Sequence, residues 1–213
     1  FGFLLGIIFC WSTFGTTDFS ELAKIIAANP ESASTAMGLL LLCGFIGKSA
    51  QFPLQVWLPD AMAGPTPVSA LIHAATMVAA GVFMMVRLCS FGFLTPEVLD
   101  VVLVLCSLMA FCAGLWALGQ TDIKKILAYS TLAHLGLMGS AIALGYDLAM
   151  FHLTTHAFFK ATLFLVAGSI IHACHHEQDI YKMGGLFKKM PITSIAALLA
   201  TLSIVAIPYF AGY

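Results

Sequence analysis

From Val101 to Leu118 the chain carries no charged side chain, and it is close to uniformly apolar from Glu97 onward. At about 1.5 Å rise per residue, a helix of about 20 residues spans the hydrocarbon of a bilayer. The segment 97–118 meets that length. The same signature recurs at 35–57, 68–88, 126–144 and 148–173, with shorter apolar stretches at 1–14 and 191–213. The chain is 61% hydrophobic and 9% charged, against about 25% charged residues in soluble domains. A soluble globular domain is excluded. Backbone polar groups find no water in the bilayer core, so a spanning chain must satisfy them internally. The expected fold is therefore an all-α, polytopic transmembrane helical bundle with discontinuous helices. It forms a single membrane domain over 1–213, with about seven spans. Phe1 and Tyr213 both stand inside apolar runs, and no basic n-region or cleavage site is seen at the start. The chain is read as an internal fragment of a longer one. A net charge of −1 gives no basis for nucleic-acid binding.

Alternating loops orient the spans. Lys124, Lys125, Lys182, Lys188 and Lys189 fall on one side, and Lys24 and Arg87 on the other. The positive-inside rule makes the first side cytoplasmic. Between the first two spans, Ser20 to Ile26 reads as a short interfacial helix capped by Ser20. Pro191 suits a first helical turn. The six cysteines lie mostly singly in apolar runs without CxxC spacing, and they read as apolar filler rather than metal ligands or a disulfide framework.

Against this background, a few polar residues stand out. Lys48 lies in an apolar span with Pro53 five residues later. A lysine at membrane depth costs roughly 2.5–3.5 kcal/mol, and Pro53 breaks the helical hydrogen-bond ladder. Such breaks are tolerated where backbone is shielded by protein or lines a wet cavity. Lys48 is thus a candidate for an ion pathway, with snorkelling to the interface as the plainer alternative. His152, His156 and Lys160 recur at i, i+4 and i+8, about 6 Å apart along the axis, and form one polar stripe on an apolar helix. Histidine is well suited to relaying protons near neutral pH. His73 lies shortly after Pro67 in the third span. Lys124 follows Thr121-Asp122 at a helix start, and periodicity does not settle whether it faces inward. His134 is a weaker candidate. His172, His175, His176 and Glu177 lack tetrahedral-site spacing and read as a polar loop rather than a zinc site.

The run Gly47-Lys48-Ser49-Ala50-Gln51, with Pro53 to Met62, Gly64-Pro65-Thr66-Pro67 and Val68 to Met77, resembles the antiporter-like membrane subunits of respiratory complex I. Thr121-Asp122-Ile123-Lys124-Lys125 to Thr131 and Phe151-His152-Leu153-Thr154-Thr155-His156 to Ala161 fit the same family. Ala173 to Leu186 is similar to its subunit L (chain 5) branch. The resemblance implies two inverted five-helix repeats, each with a broken helix. It also implies a proton-translocating set of Lys48, His73, Lys124, His152 and His156, with Lys160 following on the stripe. His134 has no implied role. The glutamate partner of Lys48 is expected before Phe1, and the lysine of the second broken helix after Tyr213. The implied function is proton translocation in the membrane arm of a NADH:quinone oxidoreductase of the bacterial inner membrane, next to other membrane subunits. No GxGxxG or cysteine cluster occurs, so no cofactor is expected in this chain, and NADH, FMN, iron–sulfur clusters and quinone belong to partner subunits. The chain would be a non-redox subunit of a translocase. Alternatives are the large subunit of an Mrp-type Na+/H+ antiporter, a haem-binding carrier using His73, His152 and His156, and a scaffold in which the polar stripe is interhelical glue.

Overall fold

A computed structural model describes residues 1–212, the side chain of Tyr146 apart. The expected last segment, 191–213, thus ends one residue outside the described part. In chain order the helices are α1 (Gly2–Phe14), α2 (Phe19–Ala28), α3 (Thr35–Lys48), α4 (Trp57–Asp60), α5 (Thr66–Ala74) and α6 (Met77–Ser90). They continue with α7 (Pro96–Leu118), α8 (Ile123–Leu144), α9 (Tyr146–Ala173), α10 (Leu186–Lys189) and α11 (Pro191–Ile204). Among the described residues, four segments are long and apolar enough to cross a membrane: Thr66–Ser90, Pro96–Leu118, Ile123–Leu144 and Asp147–Ala173. α1 and α2 meet at 62°, and α3 and α11 are shorter apolar helices. No strand occurs among the described residues.

Besides α8, which starts at Ile123 rather than 126, and α11, which ends at Ile204, three differences from expectation bear on how the chain is held. The second apolar segment is helical only to Lys48 and then leaves the helix through Ala50 at φ 49°. Ser49 and Gln51, not Lys48, turn into the protein there. The Ser49 hydroxyl donates to Val78 O at 2.8 Å, and Gln51 Nε2 donates to Ser49 O at 2.9 Å. Trp57 reaches back across the break, its indole N–H bonding Gly47 O at 3.1 Å. Second, the helix expected over 68–88 begins earlier, at Thr66, and is interrupted at Ala75–Thr76. The Thr76 hydroxyl takes up the Leu71 carbonyl at 2.9 Å, which satisfies part of the broken ladder. Third, α2 is capped by Asp18 rather than Ser20. The Asp18 carboxylate accepts from the Ser20 and Glu21 amides, a stronger acceptor at the position the backbone requires.

Val82, Met85, Val102, Met109, Leu132, Leu135 and Met138 form the centre of the core, fully enclosed between α6, α7 and α8. Large apolar side chains also cover the outside, among them Val104, Phe111, Phe151, Phe158 and Leu198. Hydrocarbon is as apolar as these side chains, so burial alone does not hold the helices together, and close packing must. α7 and α8 meet through small residues. A Cβ on Gly136 would lie 2.6 Å from Cys106 O and 2.8 Å from Ala110 N, both backbone atoms that cannot swing away. Gly136→Ala is therefore expected to destabilise the full-length protein by about 1–3 kcal/mol, as overpacking does. Gly114→Ala, with nothing within 4 Å of the new methyl, should leave the midpoint of thermal unfolding in detergent unchanged. Equal midpoints for the two variants would show that the α7–α8 seam yields.

The loops alternate as the helices require. The 119–122 and 177–180 loops are tied by an isolated bridge, with Ile123 N bonding Gln178 O at 3.1 Å and Ile180 N bonding Thr121 O at 3.0 Å. At the opposite end, Phe14 packs edge-on against Phe93, and Thr35 bonds Thr95 at 3.2 Å. α8 and α9 thus run antiparallel and side by side, the arrangement that assembles the polar cluster.

Candidate proton-relay site

The stripe on α9 faces α8. Lys160 is completely buried, and its ammonium donates to Leu127 O at 3.3 Å and to the Ser130 hydroxyl. Four residues earlier, His156 is 1% exposed, and both its ring nitrogens lack a partner among the described residues. One turn further, His152 is half-buried, and its Nε2 lies 3.0 Å from His134 Nδ1 on α8. The rings of His134, His152 and His156 lie 5.2, 5.6 and 6.4 Å apart, pair by pair, with Phe159 against all three.

His73 reaches the same region from α5. It is fully buried, its ring 5.0 Å from that of Phe164, one turn beyond Lys160 on α9. Lys160 is within Coulombic range of it, and neither His73 nitrogen has a partner among the described residues. Lys124 turns inward. It is 6% exposed, and its ammonium donates to Gly64 O at 3.1 Å, in the loop that leads into α5. Asp122 caps α8 through the Lys124 amide at 2.8 Å and so sets the rotation that points Lys124 in while Lys125 stays exposed.

Lys48 is the last residue of α3 and is exposed in the described chain, with no hydrogen bond or ion pair among the described residues; the break beside it is held by Ser49 and Gln51. The structure thus brings His73, His152, His156 and Lys160 into one region, sets Lys124 at its α8 end, and leaves Lys48 apart. His134, the weaker candidate, is the α8 side of the cluster. A signal for it existed: Lys124, Thr131 and His134 follow at i, i+7 and i+10 and share a helix face.

Among the described residues, no group of three or more His, Cys, Asp or Glu side chains is placed to hold a metal ion. The loop after α9 keeps its own bonds. Glu177 accepts from the Gln178 and Asp179 amides, each at 3.1 Å, and pairs with Lys182 at 3.3 Å. The Asp179 amide, then Lys182 and the Gln178 amide, hold the Glu177 carboxyl below its usual range. The ionised form's contribution to loop order is then complete above the ordinary carboxylate pKa of about 4.3 and is lost as pH falls through the lowered folded value. Amide-exchange protection at Gln178 and Asp179, corrected for intrinsic rates, should fall on that acid limb, and Glu177→Gln should abolish the pH dependence. Protection that falls equally in the variant would assign the effect to another group.

A bundle with broken helices and a buried lysine–histidine axis across antiparallel spans defines the class of antiporter-like membrane subunits. The whole chain, residues 1–213, matches the family model described as NADH:quinone oxidoreductase/Mrp antiporter, transmembrane. It belongs to that family and is an integral membrane protein. It is 49% identical over its full length to NADH-ubiquinone oxidoreductase chain 5 of Metridium senile, covering 36% of that protein. It is likewise 49% identical to NADH-quinone oxidoreductase subunit L of Pseudomonas aeruginosa, with 98% of this chain and 35% of that one aligned. Among solved structures it is similar to a chain of the Mrp complex from Dietzia sp. DQ12-45-1b, with TM-score 0.88 and 32% identity over 98% of this chain and 24% of that one. The chain spans about a third of the length of the curated relatives it matches.

Proposed function

We propose that the chain is part of a proton-translocating membrane-arm subunit of NADH:quinone oxidoreductase, in the bacterial inner membrane. The observation that carries this is the buried stripe His152–His156–Lys160 with His73, in which the nitrogens of His73 and His156 have no partner in the described chain. Buried polar groups are nearly always hydrogen-bonded, to ordered water where protein offers nothing. Waters bonded to these nitrogens would link the imidazoles into a path along which protons step. Lys160 and Lys124 are both buried, and lysine, unlike arginine, is a side chain that can give up its proton in a protein interior. Lys48, exposed in the described chain at the break, would exchange protons with the remainder of the full-length protein, including the expected glutamate partner. His73 and Lys124 would pass them to His152, His156 and Lys160. The free energy would come from electron transfer between NADH and quinone, through FMN and iron–sulfur clusters held by partner subunits, so this chain would do no redox chemistry.

An Mrp-type Na+/H+ antiporter is the second reading, supported by the likeness to the Mrp complex chain. Lys48→Met in the full-length protein within its complex separates the readings. Inverted vesicles of the parent should acidify on NADH addition without sodium, and the variant should acidify at least about tenfold more slowly. Parent vesicles that ignore NADH but exchange sodium for protons would favour the antiporter. Parent-level acidification in the assembled variant would remove Lys48 from the path.

A further inference from the structure

The unassigned member of the cluster is His134, and its contacts say what it does. It is on α8, outside the α9 stripe, and its Nδ1 lies 3.0 Å from His152 Nε2. Its ring stacks on that of His152 at 20° between planes, with centroids 5.2 Å apart. The rings facing it are those of His152, His156 and Phe159. His152 makes no other side-chain hydrogen bond among the described residues, and its backbone carbonyl takes the Thr155 hydroxyl at 3.1 Å.

We propose that His134 is a positioning residue for proton transfer: it holds the His152 ring in one orientation in both of its charge states. The proposal rests on the relay reading above. Between two facing ring nitrogens one hydrogen must be shared, so one ring donates and the other accepts. In both charge states His152 carries a hydrogen on Nε2 and donates it to the His134 Nδ1 lone pair, while His134 keeps its own hydrogen on Nε2. The His152 Nδ1 is then a bare lone pair when the ring is neutral and an N–H when it is protonated, so Nδ1 is the atom that takes or gives the transported proton. His134 keeps one tautomer and stays neutral throughout, and the His152 ring stays aimed. A partner that fixes the far side of a functional imidazole commonly sets its tautomer and orientation.

Glutamine can take the place of His134, its side-chain carbonyl accepting from the His152 Nε2–H in both states, and leucine cannot. The test places His134→Leu and His134→Gln in the full-length protein within its complex and measures NADH-driven acidification per NADH oxidised, with assembly checked. His134→Leu should lower that ratio about tenfold and His134→Gln should keep it within about twofold, the scale known for partners of functional histidines. In parallel, 15N-histidine spectra of the membrane-embedded protein, with His152 assigned from its loss in His152→Gln, should show a hydrogen-bonded Nε2 in the parent and in His134→Gln. Parent-level pumping by assembled His134→Leu overturns the proposal. So does His134→Gln as defective as His134→Leu, which would mean that His134 itself carries the proton. If His134→Leu fails to assemble, the spectrum of His134→Gln decides, and a His152 Nε2 without a hydrogen bond in it overturns the proposal. Failure of the relay reading looks different: variants of Lys160 would then pump normally, while the His152 resonance would still respond to His134.

Discussion

Lys160→Met in the full-length, assembled protein is expected to lower NADH-driven proton translocation by at least about tenfold, which is about 1.4 kcal/mol on the limiting barrier. The same variant is expected to be no less stable than the parent. Lys160 is fully buried, and its charge is answered by a backbone carbonyl and a hydroxyl rather than by a carboxylate. Desolvating an ammonium costs several kcal/mol, and replacement of buried charge by an apolar side chain of similar volume is often neutral or stabilising by about 1–4 kcal/mol. Methionine has the length and flexibility to fill the space. A group that the fold maintains at a cost to its own stability is the signature of function. Lys160→Arg should also be inactive, because a guanidinium does not release its proton and its five donors exceed the acceptors at hand. The scaffold reading predicts the reverse: Lys160→Met would lose two hydrogen bonds and stability, and Lys160→Gln would restore both stability and pumping. Unfolding midpoints and vesicle acidification on the three variants distinguish the two.

Much of this arrangement is legible in the sequence because a membrane imposes few solutions. Long apolar runs become helices, and a residue at i+4 shares a face with the residue at i, so the placement of His156 and Lys160 on one stripe follows from spacing alone. What spacing does not carry is the neighbour across the gap. That His134 meets His152 depends on the register between α8 and α9, which is set by a short turn at Gly145 and by the close approach of α8 to α7 at Gly136. Lys124 is similar: its inward direction is fixed by the Asp122 cap, which determines where α8 starts and hence its rotation. The break after Lys48 was marked by Pro53, but the side chains that hold it are Ser49 and Gln51, polar residues of ordinary appearance whose partners lie far along the chain or in the local turn. The interruption at Ala75–Thr76 has no proline or glycine to announce it. Thr76 bonding back to Leu71 O is a local choice visible only once α5 and α6 are placed.

His73→Leu and His156→Leu carry the second large effect, and the expected result is again a split between stability and transport. Each imidazole is buried with both nitrogens unpartnered in the described chain. Neither therefore contributes an interhelical hydrogen bond that leucine would remove. Leucine is apolar and close to histidine in volume, so it fills the same space without needing a protein or water partner. The expected stability change is near neutral for both variants. Transport should respond strongly. If water bridges these nitrogens to the next group in the path, leucine removes both a proton carrier and the anchor for that water, and NADH-driven acidification should fall by at least about tenfold in each variant. Because both residues would act in series on one path, the double variant should be no slower than the slower single one, as groups acting as a unit are strongly non-additive. Additive losses would mean two independent paths. Stable, assembled single variants that pump at the parent rate would make the buried histidines packing groups, and the proton path would then have to run elsewhere in the full-length protein.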